Sequence, residues 1–460
     1  MTPEAVLQAV DQAIREHLEA SLAELMDLCR IPSTHANPAA LRDAAMFIER
    51  ALKRRGFQVR VFDPDTEPPV LVATRPGRSA RTLLMYNHYD VQPPDPVDQW
   101  TSPPFEPTRR GGKIYARGIS DDKGHLVSRF LALDALLEVL GELPVTVKFV
   151  IEGSEEGHHS EGLRALVARH PDWLQADGVL WEFGGVGPDD IPLQYLGTRG
   201  IAYIALRVRT MPRDVHSGVG GTLVPNAAWR LVWALASIKG PDERVRIPGF
   251  YDRVQPPSPR DLELLAQLPP VVEAYQRQFQ PYLGFLRGVQ DDLELKRMAV
   301  FEPSANIAGL TAGYQGPGTK TVLPAFAEAK LDFRLVPWQR PEEIPPLVRA
   351  HLDAQGFHDV EVVDLGGTPP MKMDPDHPFV DLVVEAARDV YDKPMYKVPM
   401  RGVTGPGYLF VHRLGLPVAT AGLGYPGSNI HAPDENIRID LYEKAARHVA
   451  RIAWRMGQGF

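Results

Sequence analysis

Carboxylate and imidazole side chains recur in five short polar motifs that are widely spaced along the chain. Two divalent metals about 3.5–4 Å apart need a carboxylate that bridges them, a His or acid on each side, and one further acid that is free to move a proton. These residue types predict a two-metal hydrolytic centre. The candidate residues are His88 in HYDVQP, Asp121 in ARGISDDKG, Glu155 and Glu156 in IEGSEEG, Glu182 in LWEFGG, and His431 in SNIHAPDEN.

His88 and Asp90 stand two residues apart at the end of the apolar run TLLMYNHYD. On a β-strand this spacing places both side chains on the same face. The imidazole can bind a metal while the carboxylate accepts a hydrogen bond from the other ring nitrogen and so fixes the tautomer. We therefore expect His88 to be a ligand and Asp90 to support it.

Asp121 follows a glycine-containing turn and precedes a helical pattern of apolar residues. An Asp at that position can cap the start of a helix. It can also bridge two metals, and the two roles are compatible. We favour Asp121 as the bridge, with Asp122 and Lys123 supporting the loop.

Three further acids stand just after apolar runs. The side chains of the neighbours Glu155 and Glu156 diverge on an extended backbone, so one can bind a metal while the other stays free as a base. The spacing alone does not say which is which. Glu182 ends an apolar strand, where an unpaired carboxylate is costly; a salt bridge is the alternative to a metal there.

The elements that must position these residues alternate between strands and helices. We predict helices near residues 6–25, 38–55, 126–140 and 160–169, and strands in FQVRVF, VLVATR, TLLMYNHYD, VTVKFVIEG and GVLWEFGG. This alternation indicates an open, mainly parallel α/β sheet. Ligands bind outside the carboxyl ends of the strands in such sheets. The motifs at the strand ends are therefore expected to meet at one edge.

The pattern changes after the GTRG motif, where two helical segments stand among strands that read as antiparallel. We predict a catalytic domain formed by residues 1–198 and 376–460, with an α+β domain of residues 199–375 inserted into it. The proline-rich, charged stretch from Lys239 to Val300 has no clear pattern. Its role stays open.

Composition excludes several classes of protein. The 460 residues carry a net charge of −8, which argues against nucleic acid or an anionic membrane as the main partner. Cys29 is the only cysteine; no intrachain disulfide is possible, and we expect a buried, inert thiol. The N-terminus lacks an apolar signal-peptide core, and no stretch reaches the ~20 apolar residues of a membrane span. We expect a cytoplasmic protein.

The order HxDVxP, GxxDDKG, EGxEE, strand-end acid and His resembles the M20 family of metallopeptidases, in particular its dipeptidase branch. The resemblance runs from LCRIPS near Cys29 to IHAPDEN. It implies that Asp121 bridges the metals and is followed by a cis peptide bond. It also implies that Glu155 is the general base. Glu156 and His431 would complete one metal site, and His88 and Glu182 the other.

The resemblance also assigns the inserted domain as a lid and dimerisation domain of a homodimer. His216 in RDVHSGVGG resembles a histidine that reaches across the dimer to stabilise the oxyanion. Arg334 in DFRLVP resembles the residue that holds the substrate carboxylate, a task for which a guanidinium is suited. Thr321 and Asn306 are expected beside it. Glu182 is Asp in close dipeptidase relatives, and RGVTGPGY matches the family's substrate loop only loosely.

These residues favour hydrolysis of the amide bond of dipeptides, or of the C-terminal residue of short peptides with a free carboxylate. An N-acyl amino acid amidohydrolase with the same mechanism is the alternative. A non-catalytic binding protein is disfavoured because the base and all ligands are present, and a serine hydrolase because GxSxG is absent. Histidine and carboxylate ligands suit zinc, and manganese or cobalt also fit.

Overall fold

The computed structural model describes residues 2–62, 68–158 and 160–459. The chain divides into two compact units. The first comprises Met1–Leu196, Met373–Pro399 and Pro406–Phe460, and the second comprises Gly197–Lys372 and Met400–Gly405. The predicted first domain includes Met400–Gly405, whereas in the structure this segment groups with the second unit.

The helices and strands that the apolar periodicity predicts are present in the predicted order, together with shorter elements that were not predicted. The helices are α1 (Pro3–Cys29), α2 (Pro38–Arg54), α3 (Gly124–Leu140), α4 (Glu155–His158), α5 (Glu161–Arg169), α6 (Ser217–Gly220), α7 (Ala227–Ile238), α8 (Pro259–Gln267), α9 (Val272–Phe279), α10 (Asp292–Phe301), α11 (Ile344–Ala354), α12 (Pro378–Ala387) and α13 (Ile439–Gln458). The strands are β1 (Gln58–Phe62), β2 (Val70–Arg75), β3 (Ser79–His88), β4 (Thr108–Arg110), β5 (Lys113–Tyr115), β6 (Val145–Glu152), β7 (Gly178–Trp181), β8 (Gly185–Val186), β9 (Pro192–Tyr195), β10 (Gly197–Thr198), β11 (Gly200–Arg209), β12 (Val215–His216), β13 (Ser304–Ala312), β14 (Val322–Leu323), β15 (Phe326–Leu335), β16 (Val360–Thr368), β17 (Met371–Lys372), β18 (Tyr396–Val398), β19 (Val418–Thr420) and β20 (Asn436–Arg438).

Helix α2 shows how local sequence sets the ends of an element. The side chain of Asn37 accepts a hydrogen bond from the backbone N–H of Ala40, and Pro38 occupies the first turn, where its missing N–H costs nothing. Gly56 follows the helix with a φ of +75°, a conformation that glycine adopts without strain. The predicted start and end of this helix are confirmed.

The central sheet of the first unit has the strand order β1-β2-β6-β3-β7-β19. Strands β6, β3, β7 and β19 are mutually parallel, and β2 runs antiparallel to both of its neighbours. The predicted open, mainly parallel α/β sheet is therefore confirmed. Helices α1, α3 and α13 pack against one another, and α3 is buried along most of its length.

The second unit is built on the antiparallel sheet β13-β15-β11-β16. Helices α7 and α11 pack against this sheet through an apolar core that includes Ile204, Leu231, Phe333 and Val348. The predicted α+β character is confirmed. The stretch from Lys239 to Val300, to which the sequence analysis assigned no structure, contains α8, α9 and most of α10.

Cys29 lies at the end of α1 and is fully buried. Burial raises the pKa of its thiol to about 12, so the thiolate that a nucleophile needs is not formed at neutral pH. No helix among the described residues is long and apolar enough to cross a membrane.

Candidate metal centre

Three neighbouring strands of the central sheet end next to candidate ligands. Strand β3 ends at His88, Glu152 closes β6 three residues before Glu155, and β7 stops one residue before Glu182. Because β6, β3 and β7 are parallel and adjacent, their carboxyl ends share one edge of the sheet. The structure thus brings together residues that lie 94 positions apart in the sequence (from 88 to 182).

The first group of candidate ligands surrounds the imidazole of His88. Its Nε2 lies 2.9 Å from Oδ1 of Asp121 and 3.6 Å from Oε2 of Glu182. All three side chains are buried. One nitrogen and two carboxylate oxygens therefore converge on one point in the protein interior.

The second group surrounds His431, whose side chain is half-exposed. Its Nε2 lies 3.2 Å from Oδ2 of Asp121 and 3.0 Å from Oε1 of Glu156. The second oxygen of Glu156, Oε2, accepts a hydrogen bond of 2.8 Å from Nε2 of Gln92. Gln92 thereby turns the first oxygen toward the histidine.

Asp121 belongs to both groups, because its two oxygens face different histidines. The peptide bond between Asp121 and Asp122 is cis, as the family resemblance implied. The ligand atoms of Asp122, His88 and Glu182 also lie within 4.8 Å of one another. However, Oδ2 of Asp122 accepts hydrogen bonds from Nδ2 of Asn87 at 2.6 Å and from the backbone N–H of His88 at 3.2 Å. These bonds fit the supporting role expected for Asp122.

Asp90 links the first group to the loop that carries the candidate base. One of its oxygens, Oδ1, lies 3.4 Å from Nδ1 of His88. The carboxylate also accepts hydrogen bonds from the backbone N–H groups of Glu155 at 3.3 Å and Glu156 at 2.8 Å. Asp90 is fully buried, so its contacts fix the positions of the His88 ring and of the backbone of Glu155 and Glu156 relative to one another.

The electrostatics of the centre reflect an excess of buried acids. Burial raises the pKa of Glu182 well above its usual value. The positive charge of His88 opposes this shift, and the negative charge of Glu155 adds to it. Burial also raises the pKa of Glu155; the charge of His88 opposes this shift, and the charge of Glu156 adds to it. Hydrogen bonds to Asp121 and Glu156 raise the pKa of His431 to about 10. Positive charge placed at this centre is therefore favourable.

The donor set fits a pair of divalent metals. Neither carboxylate oxygen of Glu182 has a hydrogen-bond partner among the described residues, although both are buried. A buried carboxylate without partners is costly, and a metal ion is one group that satisfies it. His88, Asp121 and Glu182 could hold one ion, and His431, Asp121 and Glu156 the other. Imidazole and carboxylate donors suit zinc, manganese or cobalt.

The remaining candidate residues lie in the second unit. Nε2 of His216 lies 3.3 Å from Oγ1 of Thr321. Nη1 of Arg334 donates a hydrogen bond of 3.0 Å to Oγ1 of Thr404, a residue of the RGVTGPGY loop. Asn306 donates a hydrogen bond of 3.0 Å to Asp332, whose other oxygen lies 3.7 Å from Nε of Arg334. The unit therefore joins these residues into two pairs, His216 with Thr321 and Arg334 with Asn306.

Two residues that contact the candidate ligands, Gln92 and Glu435, were not predicted from the sequence. Gln92 orients Glu156, as described above. Glu435 accepts a hydrogen bond of 3.0 Å from the backbone N–H of Asp121. Gln92 stands inside the motif HYDVQP and Glu435 inside SNIHAPDEN. Neither contact follows from the spacing of the motifs, because Gln92 reaches Glu156 across a loop and Glu435 binds backbone N–H groups.

The chain is similar to known metallopeptidases in sequence and in fold. Residues 84–455 match the family model described as Peptidase family M20/M25/M40. The human Beta-Ala-His dipeptidase is 29% identical over 374 residues, which cover 76% of this chain and 72% of that protein. The Cysteinylglycine-S-conjugate dipeptidase of Corynebacterium striatum is 28% identical over 432 residues, 92% of each chain. The crystal structure of an M20 family metallo-carboxypeptidase from Sulfolobus solfataricus is 33% identical with a TM-score of 0.88, covering 95% of this chain and 99% of that one.

Proposed function

This chain belongs to peptidase family M20/M25/M40, and from that membership we propose that it hydrolyses the amide bond of dipeptides or the C-terminal residue of short peptides. The observation that carries the proposal is the position of Asp121. Each of its oxygens faces a different histidine, and each histidine has a further carboxylate beside it. This is the arrangement that a co-catalytic metal pair requires.

In this proposal His88, Asp121 and Glu182 hold one ion, and His431, Asp121 and Glu156 hold the other, with zinc as the expected metal. When bound, the ions supply Lewis acidity to the substrate carbonyl and to the attacking water. Asp90 orients the imidazole of His88 and fixes the backbone of the glutamate pair. It thereby positions a ligand and the base together.

Glu155 is the proposed general base. It is the member of the acidic pair that neither histidine contacts, whereas Glu156 lies 3.0 Å from His431. Its carboxylate takes a proton from the attacking water and returns it to the leaving nitrogen. Burial raises the pKa of Glu155, which strengthens the carboxylate as a base toward the attacking water.

Arg334 is proposed to bind the free carboxylate of the substrate, and His216 to stabilise the oxyanion from the partner subunit. The Arg334 side chain is 37% exposed, and its hydrogen bond to Thr404 leaves other guanidinium N–H groups for a ligand. A preference for substrates with a free carboxylate follows from a guanidinium at this position. Asn306 is proposed to support Arg334 through Asp332, which contacts both residues. Thr321 is proposed to support His216, whose Nε2 lies 3.3 Å from its hydroxyl.

A homodimer formed through the second unit completes the proposal. On α7 the side chains of Trp229, Val232 and Trp233 are exposed, and the two indole rings stack with centroids 5.9 Å apart. Strand β13 is at the edge of its sheet and exposes Ile307 and Leu310. Exposed aromatic residues and an edge strand with exposed apolar side chains are each typical of an interface between subunits.

Substrate hydrolysis after metal reconstitution tests the proposed activity. We expect metal-free protein to gain activity on a panel of dipeptides when two equivalents of zinc, manganese or cobalt are added. The matched comparison is a panel of N-acetyl amino acids, which share the free carboxylate but lack the free amine. Faster turnover of the N-acetyl compounds would instead assign the chain as an amidohydrolase. No turnover of either panel by protein that holds two metals would refute the hydrolase.

A further inference from the structure

We propose that the buried ion pair between Glu435 and Arg117 positions the bridging carboxylate of Asp121 and thereby sets the affinity of the centre for its metals. Neither residue is a candidate ligand. The inference rests on the proposed metal-binding role of Asp121, and the experiment below separates the two.

The carboxylate of Glu435 accepts four hydrogen bonds, while only 1% of the residue's surface is exposed. Its Oε1 accepts from the backbone N–H groups of Ser120 at 2.8 Å and Asp121 at 3.0 Å. Its Oε2 accepts from the backbone N–H of Gly118 at 2.9 Å and from Nη1 of Arg117 at 2.7 Å. One carboxylate therefore holds the backbone of the whole turn that ends at Asp121.

The chemistry of this contact requires a carboxylate. Both oxygens of an ionised glutamate are acceptors, and all four groups that face them are donors. A glutamine of the same shape would point an NH₂ group at two of these donors. The turn would then lose hydrogen bonds and would gain a repulsive contact next to Asp121.

Arg117 extends this contact to the loop that carries His88. Its Nη2 donates a hydrogen bond of 3.2 Å to the carbonyl oxygen of Pro93, five residues after His88. Glu435 itself lies four residues after His431. The ion pair thus connects the three segments that carry His88, Asp121 and His431, the nitrogen ligands and the bridge between them.

A buried ion pair is weak evidence for a purely stabilising role, because the loss of hydration offsets much of the attraction. Its position fits a geometric role better. Residues that orient metal ligands through hydrogen bonds commonly contribute about 10- to 100-fold in metal affinity.

The variant Glu435→Gln tests the proposal. Metal affinity is measured on metal-free protein by competition with a zinc chelator, and the fold is checked by circular dichroism. We expect a folded variant whose zinc affinity is lower by about 10- to 100-fold, with activity that recovers as free zinc is raised. The matched control is Asp434→Asn, a change in the neighbouring carboxylate, which accepts hydrogen bonds from Thr101 and lies 3.6 Å from Arg110. Its zinc affinity is expected to equal that of the wild type.

A second variant, Arg117→Lys, keeps the positive charge but cannot reach Glu435 and Pro93 together. We expect an intermediate loss of zinc affinity. If Glu435→Gln does not fold, this variant decides, and wild-type affinity in it overturns the proposal. A lower thermal midpoint of the metal-free protein with unchanged zinc affinity would also overturn it, because that result describes a purely structural pair.

The variant Asp121→Asn separates this inference from the proposed function. If Asp121→Asn still binds two metals with wild-type affinity, the proposed metal centre itself is wrong. If it loses metal while Glu435→Gln does not, only the positioning role fails.

Discussion

At the scale of single residues, neighbours of identical type have different surroundings. Asp121 faces two histidines, whereas the adjacent Asp122 accepts hydrogen bonds from Asn87 and from the backbone of His88. Glu156 contacts His431 and Gln92, while Glu155 contacts neither histidine. The different proposed roles of adjacent acids therefore follow from the different groups that contact each carboxylate.

The proposed base gives a prediction at this scale. We expect Glu155→Gln to retain both metals and to lose about 100- to 10 000-fold in kcat, because an amide cannot take up the proton from water. Metal content by atomic spectroscopy and steady-state kinetics check this. The exposed Glu161, six residues later at the start of α5, provides the control Glu161→Gln with unchanged kcat. Normal kcat in Glu155→Gln would remove Glu155 from the mechanism.

The sequence predicted which residue types form this centre but not how they contact one another. Spacing at strand ends was sufficient to gather His88, Glu155, Glu156 and Glu182 at one edge of the sheet. It left open which glutamate faces a histidine, because that depends on distances of 3–4 Å across loops. The support given by Glu435 was not predictable, since three of the four hydrogen bonds that its carboxylate accepts come from backbone N–H groups, which carry no sequence signal.

At the scale of elements, apolar periodicity predicted the long helices and strands well. Helix α3 was predicted from one stripe of residues and ends, as expected, before Gly141. The stretch from Lys239 to Val300 was not predictable because its helices are short and rich in charged side chains. Helix α9 has only eight residues, none of them fully buried, so it is too short for apolar periodicity to identify it.

The exposed face of α7 gives a prediction about assembly. We expect the double variant Trp229→Glu, Trp233→Glu to shift a homodimer toward monomer, with a dissociation constant higher by about 100-fold or more, because buried tryptophans dominate interfaces. Sedimentation velocity over a range of concentrations measures this. The control is Trp338→Glu, a change in an equally exposed indole outside α7. A wild-type protein that is monomeric at all concentrations would contradict the expectation.

Helix α13 gives a prediction about pH. His448 is fully buried and its Nε2 lies 2.8 Å from the carbonyl oxygen of Val383 in α12. Burial lowers the pKa of His448 from 6.5 to about 4. The unfolded chain then binds a proton below pH 6.5 that the folded chain takes up only near pH 4. Stability present above pH 6.5 is therefore lost as the pH falls through this window, by about 3 kcal/mol.

The variant His448→Gln isolates this contribution. Unfolding free energies are measured by denaturant titration between pH 4 and 7 on metal-free protein, so that protonation of the candidate metal ligands is the same in both chains. We expect the wild type to lose more stability than the variant over this range. Parallel curves would show that His448 is not responsible.

At the scale of the whole molecule, metal binding and folding should be linked. The centre gathers buried acids from segments that are far apart in the sequence, and neither oxygen of Glu182 has a hydrogen-bond partner among the described residues. We expect a chelator to lower the thermal midpoint by about 5 °C or more, since a ligand at 100 times its Kd contributes about 2.7 kcal/mol per site. Differential scanning calorimetry measures the shift. A chelator already saturated with zinc is the control, and an unchanged midpoint would contradict the linkage.

The order of the segments along the chain has a consequence for biosynthesis. Strand β19, helix α13 and His431 all belong to the first unit but follow the whole of Gly197–Lys372. In a nascent chain the surfaces of α1 and α3 that α13 covers therefore stay exposed until α13 has been synthesised. The second unit has no such dependence except for Met400–Gly405, so it can mature while the first waits. We expect chaperones to bind these exposed surfaces of α1 and α3 during synthesis. Hydrolytic activity is expected only once His431 and α13 have been synthesised.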